Sequence, residues 1–276
     1  DWITAVIPCN HDQSKLISGM VMSFDSQGNN EWVVNKQVTV EGSYSSKIQV
    51  KSHTSSMIWI SGNPTKFLQG HNIFGTDDLR YLMMKFFDSL LKHHDLGLCP
   101  TPDQYKGVQD GEYYLKRVDL NQSWHLKDRE TVLAWIRAAG SCARLKHRGS
   151  GQYTGDTLYF GKNSRRWAVK CYSKGTEINA KNHKLPVELQ IPELINWADK
   201  ALRIEMVIRS MQLKDWVLHL GKCWTPDTAK MLLCSCVIDD LEITDNMALP
   251  DDLLTVLPTR LKGIYALWLN GEDLRQ

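Results

Sequence analysis

The chain has 276 residues, 42% hydrophobic and 23% charged, enough for a proper core in one large domain or two small ones. A net charge of +2 does not by itself announce nucleic acid, and no apolar run approaches the roughly 20 residues that span a bilayer. Seven cysteines with no CxxC spacing argue against a zinc knuckle or a disulfide framework and for reduced thiols.

No secretory signal is visible. The chain opens at Asp1 without a methionine and stops at Gln276 just after a helical-looking run, so it reads as a trimmed piece lacking a C-terminal part. Residues 3–62 carry short strand patterns at 3–7, 16–24, 31–40, 47–51 and 57–60, separated by polar or glycine-bearing turns, which predicts an antiparallel meander. Gly70 and Gly75 then bracket a tight loop. Thr76 or Asp77 can cap the next helix, whose Leu79, Leu82, Met83, Phe86, Phe87 and Leu90 recur at helical spacing. Residues 97–111 read as a loop. The stretch 113–124 reads as a strand with Arg117, Asp119, Asn121 and Ser123 on one face. Asp128 caps a helix reaching about residue 146, and 147–156 is a basic, glycine-rich loop. A strand follows at 157–160, then a turn at 161–164 and a second strand pattern from Arg165. Pro192 opens a short helix over 193–200, and 202–209 is a strand with Arg203 and Glu205 on one face. From Met211 the pattern turns helical, at 215–220, at 225–236 with Pro226 at the first helical position, and in two candidates after Asp239. The fold class is therefore α+β, an antiparallel sheet packed with helices, over residues 1–210, followed by a helical segment over 211–276.

The tyrosine strand carries the chemistry. Trp167, Val169 and Cys171 share one parity; Arg166, Lys170, Tyr172 and Lys174 share the other. A strand continuing through Lys174 would stand Tyr172 between two lysines. The phenol is then either an ordinary half-exposed strand residue or a nucleophile among cations. From Arg144 to Lys174 there are eight Lys/Arg, including Arg148, Arg165 and Arg166, against one acid, Asp156. That is either the footprint of a phosphate backbone or a solvated loop with lysine-edged strands.

Three strands carry a mixed-charge face: Arg117 with Asp119, Lys170 with Tyr172, and Arg203 with Glu205. Either one side of the sheet lies in water or the three faces form a site. In the second case Asp119, Glu205 and Glu177 converge as hard oxygen ligands for Mg²⁺ or Mn²⁺, although parity does not fix where Glu177 points. At neutral pH only about one tyrosine in a thousand is phenolate, so a cation beside it would favour attack on a phosphodiester.

Four motifs appear in order. Leu68–Leu79 reads LQGHNIFGTDDL, Arg117-Val118-Asp119 reads RVD, Tyr172–Ile178 reads YSKGTEI, and Arg203-Ile204-Glu205 reads RIE. Together they resemble the filamentous-phage gene II replication initiators, with a weaker likeness to plasmid rolling-circle initiators of the Rep_trans type. The resemblance covers about residues 60–210. It implies a rolling-circle nickase fold and a site-specific DNA endonuclease and joining enzyme. This enzyme nicks the plus strand of replicative-form DNA at the origin, with Tyr172 as nucleophile. On the reading of the residues themselves, Lys174 assists, Asp119, Glu205 and Glu177 hold Mg²⁺ or Mn²⁺, and Arg117, Arg148, Arg165, Arg166, Lys170, His71 and Asn72 contact DNA. His71 and Asn72 serve equally well as a structural turn. Implied partners are origin duplex, displaced single strand, and host helicase and polymerase in the host cytoplasm, with no membrane and with room for an oligomer on DNA. One departure stands out: none of the nine histidines forms the His-hydrophobic-His pair of the wider nickase class. The competing readings are a non-catalytic origin-binding domain and a phosphodiesterase that uses water.

Overall fold

The computed structural model describes residues 1–181 and 183–243, which divide into two compact units. The first is Asp1–Asp119 with Ile208–Lys230; the second is Leu120–Val207 with the chain from Met231.

The first unit begins with β1 (Ile3–Pro8), paired along both edges and with Ile3, Ala5, Val6 and Ile7 buried. A protruding antiparallel ribbon follows, β2 (Gly19–Phe24) against β3 (Asn30–Lys36). Next come β4 (Val38–Glu41), β5 (Lys47–Thr54) and β6 (Met57–Gly62). Helices α1 (Pro64–Gln69), α2 (Leu79–Leu91) and α3 (Pro102–Gln109) precede β7 (Tyr114–His125). The sheet order is β7-β1-β6-β5-β4 and the pairings are antiparallel, as predicted, but only β4, β5 and β6 follow one another as a meander. Strand β1 pairs with β6 and β7, β2 and β3 pair apart from this sheet, and the strand expected over 31–40 is split between β3 and β4. The six apolar residues expected on one face of α2 are all buried. Its cap is Asp78, one residue beyond the predicted pair, while Thr76 accepts from the Asp78 amide. Helix α3 sits in the stretch expected as a loop, and α1 lies just before the Gly70–Gly75 loop, where no element was expected. Each starts at a proline behind a capping side chain, Asn63 for α1 and Thr101 for α3, a start signal that the pattern reading passed over.

Strand β7 runs on into the second unit. There α4 (Arg129–Cys142) is shorter than predicted, because Ala143–Leu145 extends as β8. The basic loop holds two short strands, β9 (Gly149–Ser150) and β10 (Gln152–Thr154). Then come β11 (Thr157–Phe160), β12 (Trp167–Ser173), α5 (Lys174–Asn179), α6 (Pro192–Asp199) and β13 (Ala201–Arg209). The sheet order here is β10-β11-β12-β13-β7. After β13 the chain makes α7 (Ser210–Asp215) and α8 (Pro226–Leu233), and later β14 (Leu241–Ile243) beside β8. The helix expected over 215–220 is thus the earlier α7, and Pro226 opens α8 as predicted. The helical candidates expected after Asp239 lie, beyond Ile243, outside the described residues. Among the described residues no helix is long and apolar enough to cross a membrane.

Candidate active site

Strand β12 obeys the predicted alternation as far as Tyr172. Trp167, Val169 and Cys171 are buried and, with Leu158 and Phe160 of β11, lie against α4, whose Val132, Ile136, Ala139 and Cys142 make one apolar face. Lys170 and Tyr172 point to the other side.

The expected continuation of the strand through Lys174 does not occur. Ser173 accepts a hydrogen bond from the Thr176 amide through its side chain and caps α5, so the extended chain stops there. Lys174 becomes the first helical residue. It is fully buried and its ammonium pairs with Glu177, three residues along the same helix. The helix, rather than strand parity, brings Glu177 to the site. Glycine at 175 is required by close approach: a Cβ there would lie 2.4 Å from Asp199 Oδ1 and 2.8 Å from the Asp199 Cα.

Glu205 lies on β13, whose ionic face either lies in water or forms part of a site on the sequence reading. The strand is buried on both faces from Ala201 to Ile208, so its charged groups are partnered inside the protein. Arg203 donates from Nε to Ser123 Oγ at 3.0 Å. Glu205 divides its two oxygens: Oε1 pairs with the Lys170 ammonium, and Oε2 accepts the Tyr172 hydroxyl at 3.1 Å.

These surroundings push the Tyr172 phenol well above its usual value of 10.0. Burial is the main cause, followed by the negative charges of Glu205 and Glu177; Arg203 pulls the other way. The phenol is therefore held protonated. Lys170 and Lys174 pair with Glu205 and Glu177. What the arrangement offers the phenol is a carboxylate already placed to take its proton.

Tyr172, Lys170, Glu205 and Glu177 line a cavity of about 300 Å³. His183 lines it too, with Nδ1 3.8 Å from Glu177 Oε1. Asp156, Thr157 and Tyr159 line it as well. No sequence signal marked His183, which sits in a polar turn. Asp156 and Tyr159 were likewise not singled out as site residues.

The carboxylates expected to hold a metal are all engaged. Asp119, in the first unit, is 1% exposed; its two oxygens accept from Arg117 Nε at 2.7 Å and Nη2 at 2.6 Å. Among the described residues no three His, Cys, Asp or Glu side chains are grouped as a metal ion would need. Magnesium, however, is commonly held by one or two carboxylates plus waters and substrate phosphate. Glu177 and Glu205 line one cavity and are the carboxylates that would hold such an ion.

The residues expected to touch DNA fall into distinct settings. Arg165 and Arg166 are exposed in the turn between β11 and β12. Arg148 lies over the Trp167 ring, 3.9 Å from its centroid; desolvation and the charge of Arg166 lower its pKa. Arg117 lies 5.4 Å from the Trp2 ring centroid and is bound to Asp119. Asn72 is buried and donates to the Asp1 carboxylate at 2.8 and 3.1 Å. His71 Nδ1 accepts from the Ile73 amide at 3.3 Å within the loop, whereas Asn72 ties the loop to the N-terminal residue.

The profile of the Phage_CRI family, the N-terminal part of the gene II replication-associated protein, matches residues 1–227. The chain is also similar to the replication-associated protein of this kind from Enterobacteria phage I2-2, with 38% identity over 279 residues that cover 98% of this chain and 79% of the relative.

Proposed function

Because the chain belongs to the phage gene II replication-associated protein family, we propose that it nicks and rejoins one strand at a replication origin, with Tyr172 as nucleophile. The observation that carries this reading is the 3.1 Å hydrogen bond from the Tyr172 hydroxyl to a buried carboxylate in an open cavity.

The Tyr172 oxygen attacks the phosphorus of the scissile phosphodiester. Its proton passes to Glu205, the bond from phosphorus to the 3′ oxygen breaks, and that oxygen leaves and takes a proton from solvent water to become a 3′-OH. The 5′ phosphate stays on the tyrosine. The new bond is a phosphate ester like the one broken, so rejoining needs no ATP. In the reverse direction a 3′-OH attacks the phosphotyrosine and Glu205 returns the proton. Lys170 holds the orientation of the Glu205 carboxylate through Oε1 and leaves Oε2 to the phenol. Lys174 does the same for Glu177 from inside the protein. Mg²⁺ or Mn²⁺ held by Glu205 and Glu177 would polarise the phosphodiester and offset its developing charge. Arg165 and Arg166 offer exposed charge to the DNA backbone. The DNA partners are origin duplex and the displaced single strand, followed by host helicase and polymerase acting on the freed 3′-OH.

The test is incubation with supercoiled origin DNA and Mg²⁺. The wild-type chain is expected to give a nicked circle and a covalent protein–DNA adduct, and Tyr172→Phe to give neither while still binding DNA. A Tyr172→Phe protein that still cuts would leave a water-using phosphodiesterase. A wild-type chain that binds but never cuts would leave an origin-binding module.

A further inference from the structure

We infer that the cavity wall made by Asp156, Thr157 and Tyr159 seats the base beside the scissile phosphate, with Tyr159 stacking on it. This rests on the reading of Tyr172 as the nucleophile.

Strands β11 and β12 are antiparallel, with Leu158 opposite Cys171 and Tyr159 opposite Lys170. Side chains directly opposite share a face, so Tyr159 stands on the same side of the sheet as Lys170 and Tyr172. One step further in this register brings Thr157 beside Tyr172. The alternation that sends Leu158 and Phe160 into the core therefore sends Thr157 and Tyr159 into the cavity. A phosphodiester at the Tyr172 hydroxyl carries a sugar and base on each side, and one of them meets this wall.

The two strands differ in chemistry. β12 puts Lys170 beside the nucleophile. β11 and the residue before it add an exposed carboxylate, a hydroxyl and a half-buried aromatic ring to the same face. A carboxylate repels phosphate but accepts the amino hydrogens of a base, and a tyrosine ring stacks on any base. This wall is suited to the uncharged part of the nucleotide. Lys162, with Nζ 5.4 Å from the Tyr159 ring centroid, leaves a cation near the same ring for the adjoining phosphate.

The experiment uses the full chain and an origin oligonucleotide carrying 2-aminopurine, first at one and then at the other nucleotide flanking the nick mapped with the wild-type protein. In the Tyr172→Phe background, binding is expected to quench the fluorescence at one of these positions. Adding Tyr159→Leu should abolish that quenching, and Tyr159→Phe should retain it. With Tyr172 intact, Tyr159→Leu should slow single-turnover cutting by about 5- to 150-fold, the range for one missing base stack. Deleting that base from the oligonucleotide should slow the wild type equally and the Tyr159→Leu protein no further. Quenching at neither position, quenching unaffected by Tyr159→Leu, or two losses that multiply would each overturn the inference. If the wild type forms no adduct, the nickase reading fails separately; a 2-aminopurine scan across the bound origin strand then decides the base seat on its own.

Discussion

Gly175→Ala tests how tightly the segment around Tyr172 is held. Gly175 is the second residue of α5, where alanine is favoured by about 1 kcal/mol on helix propensity alone. The structure opposes that gain. The added methyl would meet Asp199 Oδ1 at 2.4 Å, the Asp199 Cα at 2.8 Å and Arg129 Nε at 3.2 Å. The carboxylate could rotate, but the backbone atom at the C-terminus of α6 cannot, and Arg129 Nε already donates to the Asp199 carboxylate at 3.1 Å. Overpacking of this kind costs about 1–3 kcal/mol, so the net destabilisation is expected at up to about 2 kcal/mol. Relief requires α5 to move away from α6, and Tyr172 lies three residues before Gly175. A shift near 1 Å lowers the rate about 100-fold. Urea unfolding and single-turnover cleavage measure the two effects. A Gly175→Ala protein at least as stable as wild type and equally fast would refute the argument that this close approach positions the nucleophile.

The raised Tyr172 pKa makes a signed prediction. Its folded value lies well above 10.0, so its stabilising contribution is whole below pH 10 and is lost as pH rises from there towards the folded value. Stability measured from pH 9 upward should therefore fall more steeply in wild type than in Tyr172→Phe; parallel curves would show that the phenol does not titrate in this way. Changing Arg165 and Arg166 to glutamine should weaken binding to every duplex and reduce the salt slope by about 0.9 for each phosphate no longer neutralised. A loss confined to origin DNA would assign them to base reading instead. EDTA should stop nicking, and added Mg²⁺ or Mn²⁺ should restore it; cleavage that persists in EDTA would remove the metal from the reaction.

Much of the scaffold was legible because alternation is a local property. The parity of Trp167, Val169 and Cys171 against Lys170 and Tyr172, and the apolar spacing of α2, come from the period of strand and helix alone. Pro192 and Pro226 marked helix starts for an equally local reason, since proline has no amide hydrogen to lose there. The helices α1 and α3 were passed over because each is only a turn or two long and leaves little periodicity to read.

The site divides along the same line. Sequence by itself determined that Tyr172 and Lys170 leave the core together, and that Arg203 and Glu205 alternate with apolar residues. Only the tertiary structure decided that Glu205 is buried and takes the phenol's hydrogen bond, that Lys174 turns inward to Glu177, and that Thr157, Tyr159 and His183 line the same cavity. Those facts depend on which strands become neighbours and where a serine cap ends one of them. A pattern of period 2 specifies the face a side chain takes, but it carries no information about the strand that will lie beside it.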